Sequence, residues 1–225
     1  MRIVLRETIM FEHLENRIIN ADCMDILKEL PDKSVDLVLT DPPYGINCDG
    51  GSYGLGVNPT KYEKKDWDKK IPSSEIFEQI FRVSKNQIIC GGNYFTAYLQ
   101  PTKGWRIWDK IGELKCENNF SECELIWTSF KTQTKKYSVI QQGFIRQDKS
   151  ERIHPTQKPI ALFERCLQEV SNEGVLVLDC FSGSGTTAIA CHNLKRNFIC
   201  IEKDKDYFEA SVRRLEDHKR QGTLF

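Results

Sequence analysis

A glycine-rich turn placed late in the chain limits the possible fold more than any other feature. Residues 175–190 read VLVLDCFSGSGTTAIA: an apolar run, a carboxylate, a turn with two glycines, then a helix start. Strand, glycine turn and helix in that order form the opening of a β–α unit in an open parallel sheet. Such a unit normally comes first, and the remaining strands are built from the chain downstream of it. Here only residues 186–225 lie downstream, room for one more strand and one more helix. The rest of the sheet must therefore come from upstream.

The upstream chain supplies it. NRIIN is followed by the helical pattern MDILKEL, which Pro31 stops, and VDLVL is the next strand. PSSEIFEQIFRV reads as a helix with Ile76, Phe77, Ile80 and Phe81 on one face, and QIIC precedes Gly91-Gly92. Helix PIALFERCLQEV, strand VLVLDCF, helix GTTAIACHNL, strand NFICIE and a charged helix from about Asp204 complete the pattern. This alternation predicts an α/β fold with a doubly wound, mostly parallel sheet in a single domain spanning 1–225. The middle differs: β-prone pieces (RIWDK, CELIWTSF) have weak period, and polar residues dominate after Phe130.

Composition removes several classes of function. The formal net charge is zero, so no global basic field exists, and any nucleic-acid binding must rest on local patches. No apolar run approaches the ~20 residues of a membrane span, and the N-terminal stretch lacks the apolar core of a signal peptide. Nine cysteines, an odd number without a C-x-x-C pair, fit free thiols in a reducing cytoplasm better than disulfides or a metal site.

Gly183-x-Gly185-x-x-Ala188 fits a dinucleotide-binding turn, with Glu202 closing the next strand where a carboxylate would take ribose hydroxyls. Glycine turns also join strands to helices in many α/β proteins, so the turn alone leaves both readings open. Ligands of such sheets bind at the carboxyl ends of the strands. Asp22, Asp41, Asp179 and Glu202 each close a strand and should surround one crevice. Without evident cationic neighbours in sequence, four carboxylates there would be costly as structure alone. Asp41 also opens Asp41-Pro42-Pro43-Tyr44, where the prolines fix φ and remove competing N–H groups.

Asp41-Pro42-Pro43-Tyr44, followed far downstream by Asp179-Cys180-Phe181-Ser182-Gly183-Ser184-Gly185-Thr186, resembles the class β amino methyltransferases of DNA. The catalytic motif precedes the cofactor motif, as in that class. The resemblance implies a circularly permuted, seven-stranded methyltransferase sheet, S-adenosyl-L-methionine as cofactor and no metal. It implies that Asp41, Pro42, Pro43 and Tyr44 are catalytic: Asp41 and the Pro42 carbonyl accept the N–H groups of an exocyclic amine, and Tyr44 stacks on a base swung out of the duplex. Asp22 (within Asn20-Ala21-Asp22), Asp179, Phe181, Gly183, Ser184, Gly185, Thr186 and Glu202 are implied to hold the cofactor. Thr156 and Lys158 of His154–Pro159 (HPTQKP) are implied to line its methionine end. A leading aspartate goes mostly with N6-adenine enzymes. N4-cytosine and RNA adenine are alternatives, as are an inactive DNA-binding relative and, from the glycine turn alone, a nicotinamide-dependent oxidoreductase.

Residues 45–70, rich in glycine and lysine, are read as a mobile loop over the base or the DNA backbone, with Trp67 as packing. Residues 128–152 are read as a compact target-recognition segment of double-stranded DNA. Within it Lys131, Lys135, Lys136, Arg146, Lys149 and Arg152 would contact phosphates, and Gln133, Gln141 or Gln142 base edges. A solvated charged loop is the other reading. A region this small covers few base pairs, which a homodimer could share. Gln221, Leu224 and Phe225 resemble the peptide by which bacterial proteins dock on the sliding clamp; packing on the protein's own surface is the alternative.

Overall fold

The structure, a computed structural model, describes residues 12–53, 60–113, 121–142, 145–146 and 151–222. In chain order its strands begin with β1 (Arg17–Asn20), β2 (Val35–Thr40), β3 (Gly51–Tyr53), β4 (Thr60–Tyr62), β5 (Ser84–Cys90) and β6 (Arg106–Asp109). They continue with β7 (Cys123–Thr128), β8 (Lys135–Ser138), β9 (Gln141–Gln142), β10 (Ile145–Arg146), β11 (Leu176–Asp179) and β12 (Asn197–Glu202). The helices are α1 (Cys23–Glu29), α2 (Ser74–Val83), α3 (Ile160–Val170), α4 (Thr186–Asn193) and α5 (Lys205–Gly222).

Eight strands form the central sheet in the order β1-β12-β11-β2-β5-β7-β6-β8, and the pairings make every strand parallel except β7. Both faces are covered, which is why the central strands read as continuous apolar runs rather than alternating ones. Leu37, Leu39, Val177, Phe198 and Cys200 point to the face packed by α3, α4 and α5. Val38, Leu176, Leu178, Ile199 and Ile201 point to the face packed by α1 and α2. The α/β expectation and the upstream origin of the sheet hold, but the sheet has eight strands where seven were expected.

The additional strand lies inside the segment expected to be a compact recognition unit. β8 pairs in parallel with β6 at the sheet edge, Tyr137 and Val139 are buried, and Lys135 and Lys136 stay exposed. An edge strand with charged residues on its open side looks like a loop in sequence, and that charge guards it against pairing with other chains. Lys149, Leu224 and Phe225 lie outside the described residues, as does the Arg146 side chain; Gln221 is in the last turn of α5.

One buried arginine, which no sequence pattern marked, holds this edge in place. Arg106 of β6 is 1% exposed and donates to the carbonyls of Gly104, Trp105 and Gln133 at 3.0 Å each and to the Thr132 hydroxyl at 2.8 Å. It also forms a two-pronged pair with Glu169 of α3, at 2.6 and 3.1 Å. The rigid guanidinium fork can satisfy these directions together; an ammonium cannot. Arg106→Ala, which takes the donor from several buried carbonyls and leaves Glu169 only Lys135 and the Tyr137 hydroxyl, is expected to cost about 3–5 kcal/mol in urea unfolding, and Arg106→Lys to recover only a minor part.

Candidate functional site

The chain changes direction across the sheet between β11 and β2. From β11 it proceeds through α4 to β12; from β2 it proceeds through α2 to β5, on the other side. Such a switch point opens a crevice at the carboxyl ends of the strands. A cleft of about 2220 Å³ occupies it, and Asp22, Asp41, Asp179 and Glu202 all line it. An ordinary small-ligand pocket holds roughly 300–1,000 Å³, so this cleft has space for a cofactor and a second, nucleotide-sized group.

The four carboxylates have different partners. Asp22 caps α1, accepting from the Met24 amide at 2.9 Å, and pairs with Lys203 at 2.8 Å. The lysine hydrogen bond and then the amide hold its carboxyl below the usual range. Asp179 is 2% exposed and fully engaged: the hydroxyls of Thr40 (2.7 Å) and Thr187 (2.5 Å) and the Phe181 amide (3.1 Å) donate to it. Burial outweighs these bonds and pushes its pKa up to about 6. Glu202 accepts from the amides of Gly183 (2.7 Å) and Asp204 (2.8 Å), and burial lifts its pKa to about 7. Asp41 is bound by the Lys158 ammonium at 2.7 Å on Oδ2 and by the Tyr44 hydroxyl at 2.6 Å on Oδ1. Cations thus do accompany Asp22 and Asp41. They arrive from other strand ends and loops, where sequence adjacency could not reveal them.

The glycine turn divides its work. Gly183 has φ +50° and faces the His154 ring, 3.5 Å from where a Cβ would sit. Gly185 has φ +74°, and a Cβ there would stand 3.1 Å from the Cβ of Ser211 and 3.3 Å from Ile18, so it lets α5 and β1 close on the turn. Thr186 donates to the Lys158 carbonyl at 3.1 Å, joining the turn to the HPTQKP loop, and its hydroxyl lies 3.1 Å from that of Ser184. Phe181 and Ser184 line the cleft with Gly183. Thr156 turns back on His154, its hydroxyl 3.2 Å from Nδ1. His154 lies between Trp67 and Tyr207, at 4.9 and 4.3 Å between ring centroids. Burial, then the nearby Lys158 charge, drives its pKa down to about 3, so its ring is neutral.

Lys158, expected at the methionine end of a cofactor, stands beside Asp41. Its ammonium lies 2.7 Å from Asp41 and 3.3 Å from Glu124 of β7, and Glu124 pairs in turn with Lys110 at 3.2 Å. Glu124 and Lys110 belong to no motif; only the β6–β7 pairing delivers them. The Tyr44 ring packs against Gly91, which has φ +64° and whose Cβ would fall 2.1 Å from the ring. Tyr94 stacks on Tyr44 with centroids 4.7 Å apart and planes 12° from parallel, and is itself 41% exposed at the cleft. The aromatic surface is therefore a pair of tyrosines, not Tyr44 alone.

The described parts of 45–70 are tied down along the cleft, from beside Tyr44 to the start of α5. The Asp68 carboxylate accepts from the amides of Gly45 and Cys48 at 2.8 Å each, and Lys65 reaches Asp204 (2.8 Å) and Asp206 (2.5 Å) at the start of α5. Trp67 packs on His154, in line with a packing role. Of the cations expected at DNA, Lys131 is exposed, Lys135 pairs with Glu169 (2.8 Å) and Lys136 with Asp109 (3.1 Å). Arg152 lines the cleft and donates to the Pro155 carbonyl at 2.8 Å.

Comparison with known proteins agrees with this geometry. Residues 74–213 match the model of the N6_N4_Mtase family, DNA methylase, and the chain belongs to that family. The match does not include Asp41–Tyr44, which the fold supplies. The chain is 29% identical to the type II methyltransferase M.HpaI of Haemophilus parainfluenzae, over 90% of this chain and 75% of the relative. It is 26% identical to M2.MboI of Moraxella bovis, over 89% and 87%. Among solved structures, M1.HpyAVI in complex with S-adenosylmethionine shares the fold (TM-score 0.58, 24% identity, 88% of this chain and 98% of that one). So does the cytosine-N4-specific PvuII DNA methyltransferase (TM-score 0.58, 15% identity, 91% of each).

A carboxyl whose folded pKa lies above its unfolded value binds extra protons only when folded, so its stabilising contribution is lost as pH rises through the folded value. For Glu202 that window runs from its ordinary 4.5 to about 7. The stability of the protein relative to Glu202→Gln is expected to fall across this window and to level off above it, as read from urea midpoints at several pH values.

Proposed function

We propose that the protein transfers a methyl group from S-adenosyl-L-methionine to N6 of an adenine flipped out of double-stranded DNA. The observation that carries this reading is the placement of Asp41 and the Tyr44–Tyr94 pair in the same cleft as the glycine turn and Glu202. The chain order, catalytic strand first and cofactor turn last, supports the permuted class β arrangement. The leading aspartate of Asp41-Pro42-Pro43-Tyr44 favours adenine over the N4-cytosine alternative.

The residues present suit this cofactor. Glu202, at the end of β12, is placed for ribose hydroxyls, Asp22 for the adenine amine, and Gly183 with Phe181 for the adenosine face. The acidic character of this end suits a cofactor with sulfonium and ammonium groups, and that cofactor supplies an electrophilic methyl. The chain's own work is at the amine. An exocyclic amino nitrogen is a weak nucleophile because its lone pair is delocalised into the ring. Asp41 and the Pro42 carbonyl accept its two N–H groups, favouring a pyramidal nitrogen with the lone pair directed outward. The tyrosine pair holds the ring, so much of the rate comes from positioning. Burial outweighs Lys158 and keeps the Asp41 pKa above the usual range, which suits a group that must take up the proton the amine sheds.

The direct test is transfer from labelled S-adenosylmethionine to mixed-sequence duplex DNA, with nucleosides separated by mass spectrometry. Label is expected in N6-methyladenine and should fall at least about 10²-fold in Asp41→Ala; label in N4-methylcytosine would overturn the base assignment. Lys131, Lys135, Lys136, Arg146, Lys149 and Arg152 are proposed to contribute the phosphate contacts. Replacing Lys135 and Lys136 with glutamine is expected to reduce the slope of log affinity against log salt by about 1–2, and an unchanged slope would remove them from the interface.

A further inference from the structure

Both oxygens of Asp41 are taken: Oδ1 by the Tyr44 hydroxyl at 2.6 Å and Oδ2 by the Lys158 ammonium at 2.7 Å. Each oxygen keeps a second lone pair, so a target amine that donates to Asp41 must share an oxygen with one of these partners and compete with it for the carboxylate's charge. Each partner has a second acceptor close by, and it is the same atom. Oε2 of Glu124 lies 3.4 Å from the Tyr44 hydroxyl and 3.3 Å from the Lys158 ammonium. Lys158 is 6% exposed in its side chain and Glu124 23%, so water is a poor substitute for either partner. Oε1 of Glu124 is held by Lys110 at 3.2 Å, which anchors the carboxylate while leaving Oε2 toward the cleft.

We propose that Glu124 is a positioning residue that takes over Lys158 and the Tyr44 hydroxyl when the target amine engages Asp41. The inference deepens the amino-methylation reading above and rests on it. Without Glu124, Lys158 has one carboxylate to bind, and it competes undiminished with the amine for Asp41. Its charge also faces the nitrogen that becomes positive as the new N–C bond forms. With Glu124 present, a shift of a few tenths of an ångström moves the ammonium from one carboxylate toward the other without leaving a buried charge unpaired.

The electrostatics agree. Burial by itself would push Lys158 down, but Asp41 and Glu124 outweigh it and hold the ammonium charged. Burial would raise Glu124, but Lys158 and Lys110 outweigh it and keep it ionised. The other ionisable groups facing the cluster are the Tyr44 hydroxyl, the Cys90 thiol at the end of β5, the Cys48 thiol and Asp179. Burial, with Asp41 next, holds Tyr44 and Cys90 neutral, and burial raises Cys48 and Asp179.

The test is Glu124→Gln in the full chain, assayed for methyl transfer to duplex DNA across pH, with S-adenosylmethionine and DNA affinities and Tm measured alongside. The expected result is a kcat loss of about 10²-fold, cofactor affinity within twofold, and partial rescue in Glu124→Asp. The acid limb of kcat should move to lower pH, because Glu124 no longer raises Asp41. Lys110→Gln, which removes the anchor but keeps the carboxylate, should move that limb the opposite way, and it serves if Glu124→Gln folds poorly. Unchanged kcat in Glu124→Gln, or a loss matched by lower Tm with the acid limb in place, overturns the proposal. An active wild type with an unaffected variant defeats this proposal alone; a wild type that transfers no methyl to a base amine defeats both it and the function on which it rests.

Discussion

The carboxylate of Asp179 holds the two halves of the molecule to one another. It closes β11, accepts the hydroxyl of Thr40 from the end of β2, and accepts the hydroxyl of Thr187 from the first turn of α4. Thr40 immediately precedes Asp41, so this pair of bonds sets the distance between the glycine turn and Asp41–Tyr44. The group is almost wholly out of water, and its pKa of about 6 records that desolvation outweighs its bonds. A buried carboxylate is tolerated when donors surround it, and Asp179 has three. Its role is therefore to join strand ends at the switch point, and the space left between those ends is the cleft.

Charge in the cleft is arranged in two zones. Around the glycine turn, Asp22 meets the largely exposed Lys203, Asp204 meets Lys65, which is shielded beneath the Tyr207 ring, and Glu202 is held by backbone amides. Beside the Tyr44–Tyr94 pair, Asp41, Lys158, Glu124 and Lys110 alternate in sign through a shielded line. Exposed pairs are worth little, whereas in a less exposed line each unpaired member would be costly. In the first zone the exposed Asp22–Lys203 pair can exchange partners with a polar ligand at small cost. The second can do so only if every charge keeps a neighbour, and Glu124 provides that.

Legibility followed chain distance. The strands β2, β11 and β12 were readable because they are buried on both faces and hence continuously apolar. Asp41, Asp179 and Glu202 were readable because each ends or directly follows such a strand, and Asp22 because it stands between β1 and the helix it caps. β8 was not, since its exposed lysines mask the inward Tyr137. Arg106, Glu124, Lys110 and Tyr94 were not, because each gains its meaning from a partner on a different element. The meeting of Lys158 with Asp41 was not readable either, because its loop is tied to the glycine turn through Thr186 and turns its ammonium toward Asp41.

The sequence by itself determined the fold class, the late position of the glycine turn, the origin of the sheet in upstream strands and the gathering of four carboxylates at one edge. These come from local pattern and from the rule that parallel strands end on one side. Only the tertiary structure decided which cation meets which carboxylate, that Tyr44 is covered by Tyr94, and that Lys158 lies between Asp41 and Glu124. Those outcomes depend on register and loop path, which bring together residues as far apart in the chain as 41, 124 and 158, and no local preference encodes a contact of that separation.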